Sequence, residues 1–154
     1  MNEEAFRRMI DQQAFLEWAE VYGNLYGTPR RELMQLQDAG IDVILDIDIQ
    51  GAKNVMTNAE DVVSVFLMPP SLEVLKSRLE ARGTDDAEVV ERRFQKAQAE
   101  MAHHVEYKYT MRNGSLEQAI REFESIVLAE RVRTKRLDHD WLYRYGLIDK
   151  EVIE

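Results

Sequence analysis

The sequence contains no cysteine. This absence excludes a disulfide framework, a thiolate metal site and a cysteine nucleophile. No apolar run approaches the roughly 18 residues that a transmembrane helix needs, and the opening segment is charged rather than apolar. We therefore expect a soluble cytoplasmic protein with no signal peptide and no membrane anchor.

Positive charge is also scarce, with 20 lysines and arginines against 29 aspartates and glutamates, a formal net charge of −9. Because phosphate contacts drive general nucleic-acid binding, this balance predicts that nucleic acid is not a partner. It leaves room for a small local cationic pocket. A chain of 154 residues with 45% hydrophobic and 32% charged residues has the composition of one globular domain.

Glycine and proline are sparse, at seven and three residues, so the breaks between elements can be located. Residues 15–22 alternate between apolar and polar and precede Gly23-Asn24, which predicts a β-hairpin continuing through Tyr26. Thr28-Pro29 predicts a helix start with Thr28 as the N-cap, and Gly40 predicts the end of that helix.

Apolar runs at residues 43–49 and 62–67 predict strands buried on both faces, and residues 107–112 predict a weaker third strand. Predicted helices begin after the capping residues Ser71 and Ser115, and a long charged helix covers residues 86–104. Strands that alternate with helices indicate an α/β fold with a parallel sheet flanked by helices. The hairpin is then a small antiparallel insertion.

Asp46 and Asp48 lie at the carboxyl end of the predicted strand 43–49, where a parallel sheet places its ligand crevice. Carboxylates there hold Mg²⁺ through water molecules or accept hydrogen bonds from a substrate. The alternative is that they cap the helix that starts near Gln50. The local pattern favours neither interpretation.

Arginines form a basic cluster around Gly83-Thr84 in this acidic chain: Arg78, Arg82, Arg92 and Arg93. Phosphoryl transfer uses such a cluster to neutralise charge that develops on the transferred group. The local pattern alone favours the alternative, a solvated and salt-bridged surface, because acidic residues surround the arginines.

The predicted hairpin carries Glu17, Trp18, Tyr22 and Tyr26. A carboxylate can accept two N–H groups from one planar edge, and guanine has that edge whereas adenine does not. Tyrosine and threonine hydroxyls are suitable phosphate donors. The alternative is that the aromatic residues pack on a half-buried antiparallel sheet.

Five motifs in order resemble the guanylate kinase family over residues 3 to about 135. They are Phe15-Leu16-Glu17-Trp18-Ala19-Glu20, Gly23-Asn24-Leu25-Tyr26-Gly27-Thr28-Pro29, Ile44-Leu45-Asp46-Ile47-Asp48-Ile49-Gln50-Gly51-Ala52, Pro69-Pro70-Ser71-Leu72 and Arg82-Gly83-Thr84. The resemblance implies a P-loop kinase fold that transfers the γ-phosphoryl group of Mg²⁺-bound ATP to GMP. It also implies a domain over residues 1–135, with a GMP-binding region at 15–40, a helical lid at 78–95 and a tail at 136–154.

The resemblance assigns GMP binding to residues on the hairpin and on the segment after it. Glu17 would bind the guanine edge and Asp48 the guanine amino group, while Tyr26 and Thr28 would serve the phosphate region. Asp46 would stand near the metal-bound waters, with no direct metal ligand. The oligomeric state is left open.

Catalytic and ATP-binding roles follow from the same resemblance. Arg78, Arg82 and Arg93 resemble lid arginines that close over the ATP phosphates and the transferring group, and Asn113 matches a position bordering the adenine. Arg82, Arg93 and Asp46 are the predicted catalytic residues. Around Asn113 the sequence departs from the family, which usually has an apolar residue and an acidic one at its flanks.

The larger departure is that the family's phosphate cradle, Gly-x-x-x-x-Gly-Lys-[Ser/Thr], is not found, since no glycine here precedes a lysine. An upstream segment with a serine, two arginines and a tyrosine for GMP is not found either. We therefore expect the C-terminal part of a guanylate kinase, a truncated parallel sheet that is inactive alone. The alternatives are a non-catalytic interaction module and a weak GMP-binding remnant.

The missing segment also bears on the sheet, because the family's central strand lies between the strands equivalent to 43–49 and 62–67. Without it, these strands must pair directly or leave backbone groups unpaired. Each unpaired group costs about 1 to 3 kcal/mol if it is buried.

Overall fold

Two compact units make up the chain in the computed structural model, which describes residues 1–21, 23–81 and 86–147. The first unit comprises Met1–Ser64 and Glu100–Lys108, and the second comprises Val65–Ala99 and Tyr109–Glu154. No helix among the described residues is both long enough and apolar enough to cross a membrane.

An antiparallel hairpin forms the centre of the first unit and confirms the predicted one. Strand β1 spans Phe15–Val21 and strand β2 spans Asn24–Pro29. The register places Glu17 opposite Thr28 and Ala19 opposite Tyr26. Because side chains alternate along a strand, these four residues lie on one face of the hairpin.

Helix α1, Glu3–Asp11, precedes the hairpin and packs against its first strand. Its N-cap is Asn2, whose side chain accepts a hydrogen bond from the Ala5 N–H at 2.8 Å. The rings of Phe6 and Phe15 stack with their centroids 4.4 Å apart. This stacking packs α1 against β1.

The helix after the hairpin, α2, spans Arg30–Asp38, and the prediction of Thr28 as its N-cap is wrong. Thr28 lies in β2, and the N-cap is Pro29, whose side chain makes no capping hydrogen bond. The reason is that the Thr28 hydroxyl donates to Glu17 instead. The predicted end is confirmed, since Gly40 follows the helix with φ +73, a left-handed conformation that suits glycine.

The predicted strand at 43–49 is wrong, because residues 41–48 form no ladder with any described residue. Burial alternates along this segment instead of covering both faces: Val43 and Leu45 are half-buried, whereas Ile44 is 71% exposed. An apolar run becomes a strand only when a neighbouring strand pairs with it. Helix α3 follows directly and spans Ile49–Asn58.

The second unit contains a parallel pair of strands, β3 at Val65–Met68 and β4 at Tyr109–Arg112. Both begin later than predicted. The helices are α4 at Leu72–Ala81, α5 at Ala87–Met101, α6 at Leu116–Arg131 and α7 at His139–Arg144, and the last two residues of α5 belong to the first unit. The antiparallel hairpin and the parallel pair, with their helices, confirm the predicted mixed α/β class.

Capping serines start two of these helices, as predicted. The Val74 N–H donates to Ser71 Oγ at 3.2 Å, and the Gln118 N–H donates to Ser115 Oγ at 3.4 Å. Helix α5 is shorter than the predicted 86–104, because Ala102–Glu106 tightens into a 3₁₀ turn that belongs to the first unit.

The buried carboxylate of Glu130 connects the end of α6 to β4 through a hydrogen bond. Glu130 accepts a hydrogen bond from the Tyr109 hydroxyl at 2.7 Å, and its other oxygen lies 3.1 Å from Arg133 Nη1. The Tyr109 pKa is raised, chiefly by this hydrogen bond to Glu130. Since a buried charge is stable only when it is paired, both partners matter to this end of the helix.

The core of the second unit gives a first test, because Met111 is 4% exposed while its ladder partner Leu67 is 56% exposed. We expect Met111→Ala to lower the free energy of unfolding by about 2 kcal/mol or more, since truncating a buried side chain leaves a cavity. Leu67→Ala is the matched control and should cost less than half as much. Urea denaturation followed by circular dichroism measures both, and equal losses would contradict the burial difference.

Candidate functional site

Glu17 is a buried carboxylate on β1, only 7% exposed. Its Oε1 atom accepts a hydrogen bond from the Thr28 hydroxyl at 2.6 Å, across the hairpin. Burial of a carboxylate is costly unless hydrogen bonds compensate it, so Thr28 supports the charge and fixes its orientation. The other oxygen, Oε2, faces the first turn of α3 at Gly51.

Asp48 is the N-cap of α3, and its Oδ1 atom accepts a hydrogen bond from the Gly51 N–H at 2.8 Å. The capping interpretation of this aspartate is therefore confirmed. The cap does not exclude a second role, because a carboxylate has several acceptor positions. Asp46 lies two residues earlier, exposed, in the segment without a ladder.

Gly51 lies between the two carboxylates and is itself buried. A Cβ atom built at Gly51 would lie 3.1 Å from Glu17 Oε2 and 3.2 Å from Asp48 Oδ1, with Ile47 Cβ at 3.3 Å. Contacts this tight are uncommon for a Cβ atom, so glycine suits the close approach of both carboxylates. The sequence analysis did not predict that Gly51 makes room for the two carboxylates, although Gly51 belongs to one of the family motifs.

Tyr26 shares the Glu17 face of the hairpin, two residues from Thr28 along β2. Its side chain is 59% exposed, so the phenol is accessible. The structure thus brings four predicted residues into the first unit on adjoining elements: Glu17, Tyr26, Thr28 and Asp48. Together they offer two carboxylate acceptors and an accessible hydroxyl.

The second unit brings two other predicted residues together. Arg78 on α4 donates from Nη2 to the backbone oxygen of Asn113 at 2.9 Å. The Asn113 N–H donates in turn to the Met68 carbonyl at 2.7 Å. The loop after β4 is therefore tied both to α4 and to the end of β3.

Two other predicted arginines, Arg82 and Arg93, complete the set assigned to ATP. Arg93 is half-buried on α5, and Arg82 lies outside the described residues. The salt-bridged alternative has some support nearby, since Lys76 on α4 lies 3.4 Å from Glu91 on α5. Within the second unit, then, this helix pair carries both an ion pair and the predicted residues Arg78 and Arg93.

A protein cage for a metal is not formed by the described residues, because no group of three or more His, Asp or Glu side chains is placed to hold an ion. Mg²⁺ in phosphoryl-transfer sites typically keeps several waters and takes only one or two carboxylates. Asp46, with its exposed carboxylate, fits that water-mediated mode.

The family model described as guanylate kinase matches residues 1–130. This chain belongs to the guanylate kinase family. It is 39% identical over 150 residues to the guanylate kinase of Carboxydothermus hydrogenoformans, covering 97% of this chain and 74% of that one. With the guanylate kinase of Idiomarina loihiensis it shares 43% identity over 153 residues, covering 99% of this chain and 71% of the relative.

A further relative, the guanylate kinase of Symbiobacterium thermophilum, is 46% identical over 136 residues, which cover 88% of this chain and 64% of that protein. Among solved structures, the guanylate kinase from Anaplasma phagocytophilum aligns with a TM-score of 0.77 at 33% identity. That alignment covers 97% of this chain and 74% of the crystal structure's chain. The chain thus spans between 64% and 74% of the length of these guanylate kinases.

The close approach at Gly51 gives a second test. We expect Gly51→Ala to destabilise the first unit, because the new methyl group would push apart two carboxylates that Thr28 and the α3 cap hold in place. An exposed helix position usually gains about 0.5 to 1 kcal/mol from the same change. Urea denaturation decides the sign.

Gly114→Ala is the control, since its Cβ would meet Pro70 at an ordinary 3.6 Å. We expect it to change the unfolding free energy little. A Gly51→Ala protein as stable as wild type would show that the carboxylates yield freely and that the site does not depend on this glycine.

Proposed function

We propose that the first unit recognises GMP and that the chain serves the reaction of its family, transfer of a phosphoryl group from ATP to GMP. The observation that carries the proposal is the buried Glu17 carboxylate, held by Thr28 and facing Asp48 across Gly51. Family membership supplies the reaction class. The site residues supply the chemistry that recognises the nucleotide.

Guanine presents a ring N–H and an adjacent exocyclic amino group, whereas adenine has an acceptor nitrogen and a C–H group at the same two positions. A carboxylate accepts both guanine donors, so Glu17 is assigned to this edge and Asp48 to the amino group. Both acceptors are fixed before the nucleotide binds, because Thr28 and the α3 cap orient them. Such preorganisation favours guanine, since adenine would leave the carboxylates unpaired.

The phosphate of GMP is assigned to the hairpin face that carries Tyr26 and Thr28. Tyr26 is exposed and can donate its hydroxyl directly to a phosphate oxygen. The Thr28 hydroxyl donates to Glu17, so its main contribution is to orient the guanine-binding carboxylate. In this proposal Thr28 lies between the base and the phosphate regions.

In this proposal ATP is assigned to three arginines and to Asn113. Arg78, Arg82 and Arg93 would neutralise the phosphates and the transferring group, and Asn113 would border the adenine. Mg²⁺, when bound, stabilises negative charge on the phosphate oxygens, and Asp46 would hold its waters. Arg82, Arg93 and Asp46 remain the proposed catalytic residues.

The 154 residues contain no Gly-x-x-x-x-Gly-Lys-[Ser/Thr] sequence, which in P-loop kinases cradles the ATP phosphates with backbone N–H groups and a lysine. We propose that these residues alone bind GMP weakly and do not complete phosphoryl transfer. Charge-assisted hydrogen bonds to a phosphate are worth about 1.5 to 3 kcal/mol each. Without the cradle these residues hold ATP poorly, and without the two arginines that the family resemblance assigns to GMP they bind GMP weakly.

The activity proposal is tested with the 154-residue polypeptide. We expect no ADP formation above the blank from ATP, GMP and Mg²⁺, because the phosphate cradle is not among its residues. A coupled assay for ADP measures this directly. Turnover in the range of about 1 to 100 per second, typical of kinases, would contradict the proposal.

The GMP site is tested by NMR titration of the same polypeptide. We expect weak GMP binding that Glu17→Gln reduces at least about tenfold, because a hydrogen bond to a charged group contributes about 1.5 to 3 kcal/mol. Glu20→Gln is the matched control, since Glu20 lies on the same strand but on its opposite face. AMP should not bind.

Equal losses from Glu17→Gln and Glu20→Gln would refute the assignment of Glu17. If wild type gives no GMP response at any accessible concentration, a non-catalytic interaction module becomes the better interpretation.

A further inference from the structure

A second polar arrangement in the first unit involves none of the residues assigned to GMP. Lys53 on α3 lies 3.2 Å from Glu106 Oε2 and 3.2 Å from His103 Nδ1. His103 Nδ1 lies 2.6 Å from Glu106 Oε1. We call these three residues the tether cluster, because they join α3 to the 3₁₀ turn Ala102–Glu106.

The hydrogen positions in the tether cluster follow from its distances. A single Nδ1 atom cannot donate to Glu106 and accept from Lys53 at once, and its contact to Glu106 is the shorter one. The imidazole therefore donates to one oxygen of Glu106, and the ammonium group of Lys53 pairs with the other. Glu106 has a lowered pKa, first because of its hydrogen bond to His103 and then because of Lys53.

The tether cluster lies on the side of α3 opposite to its buried side. Gly51 and Val55, the buried residues of α3, are four apart and face the same way, and α3 packs against β1. Lys53 is two residues from Gly51 and two from Val55. At about 100° per residue, it therefore lies on nearly the opposite side of the helix from both. Apolar packing therefore holds one side of α3 and the tether cluster holds the other.

The segment that carries the tether cluster also lies within electrostatic reach of the proposed guanine site. Tyr107, the C-cap of the 3₁₀ turn, has a raised pKa, caused first by burial and then by the charges of Glu106, Asp48 and Glu100. A charge effect between Tyr107 and Asp48 requires the two groups to be near each other. The charge of Asp48, the N-cap of α3, therefore acts on Tyr107.

Residues 41–48, which lead into α3, form no ladder with the described residues, so strand pairing does not fix the orientation of this helix. A small rotation of α3 would move the Asp48 cap and the Gly51 backbone away from Glu17. We infer that Lys53 and Glu106, oriented by His103, are positioning residues that hold α3 so that Asp48 faces Glu17 across Gly51. As a statement about affinity, this inference rests on the proposed GMP site.

The test measures GMP affinity of the 154-residue chain by NMR titration. We expect Lys53→Met and Glu106→Gln each to raise the dissociation constant about threefold, the effect of losing a partly exposed ion pair. The exchanged pair Lys53→Glu with Glu106→Lys should restore affinity to within about twofold of wild type, because the attraction is rebuilt. Lys53→Arg should retain the wild-type affinity for GMP.

Lys76→Met is the matched control, since it breaks a comparable lysine–glutamate pair with Glu91 at 3.4 Å in the second unit. We expect it to leave GMP affinity unchanged. An equal loss of affinity in Lys76→Met and Lys53→Met, or no loss in Lys53→Met and Glu106→Gln, would overturn the inference. Failure of the exchanged pair to restore affinity would overturn it as well.

A second readout needs no nucleotide: hydrogen exchange of the Gly51 amide, which is bonded to Asp48. We expect Lys53→Met and Glu106→Gln to accelerate this exchange about threefold, and the exchanged pair and Lys76→Met to leave it near the wild-type rate. If wild type does not bind GMP, the proposed function fails while this measurement still decides the positioning role. An unchanged Gly51 exchange rate in both single variants would overturn it.

Discussion

The buried carboxylate of Glu17 constrains both the register of the hairpin and the helix that faces it in the first unit. A charge removed from water requires a compensating donor, and Thr28 supplies it only in the observed hairpin register. A shift of one residue would turn the Thr28 hydroxyl to the other face of the sheet. The same carboxylate favours glycine at position 51, since a Cβ atom there would lie only 3.1 Å from Glu17 Oε2.

Local signals allowed much of the fold to be predicted. Alternation before Gly23-Asn24 predicted the hairpin, and the serines at 71 and 115 marked helix starts correctly, because caps and turns act within a few residues. The predicted strand at 43–49 was wrong because its own residues do not show whether another strand pairs with it. The Thr28 cap failed for a similar reason, because Glu17 competes for its hydroxyl.

The candidate site divides in the same way. Glu17 and Asp48 could be singled out from their residue types and from the family motifs, as could Arg78 and Asn113 in the second unit. The space at Gly51 and the tether cluster could not, because they depend on how α3 is oriented against β1 and against residues 102–106. Sequence indicates which groups can take part in chemistry, while packing determines which groups orient them.

The separations of these contacts along the chain imply an order of folding. Glu17 and Thr28 are 11 residues apart, whereas Lys53 and His103 are 50 apart. Loop closure costs more entropy as the loop lengthens, and hairpins form within about 1 to 10 microseconds. The hydrogen bond between Thr28 and Glu17 should therefore form early. The contacts between α3 and residues 100–108, which close a longer loop, should form later.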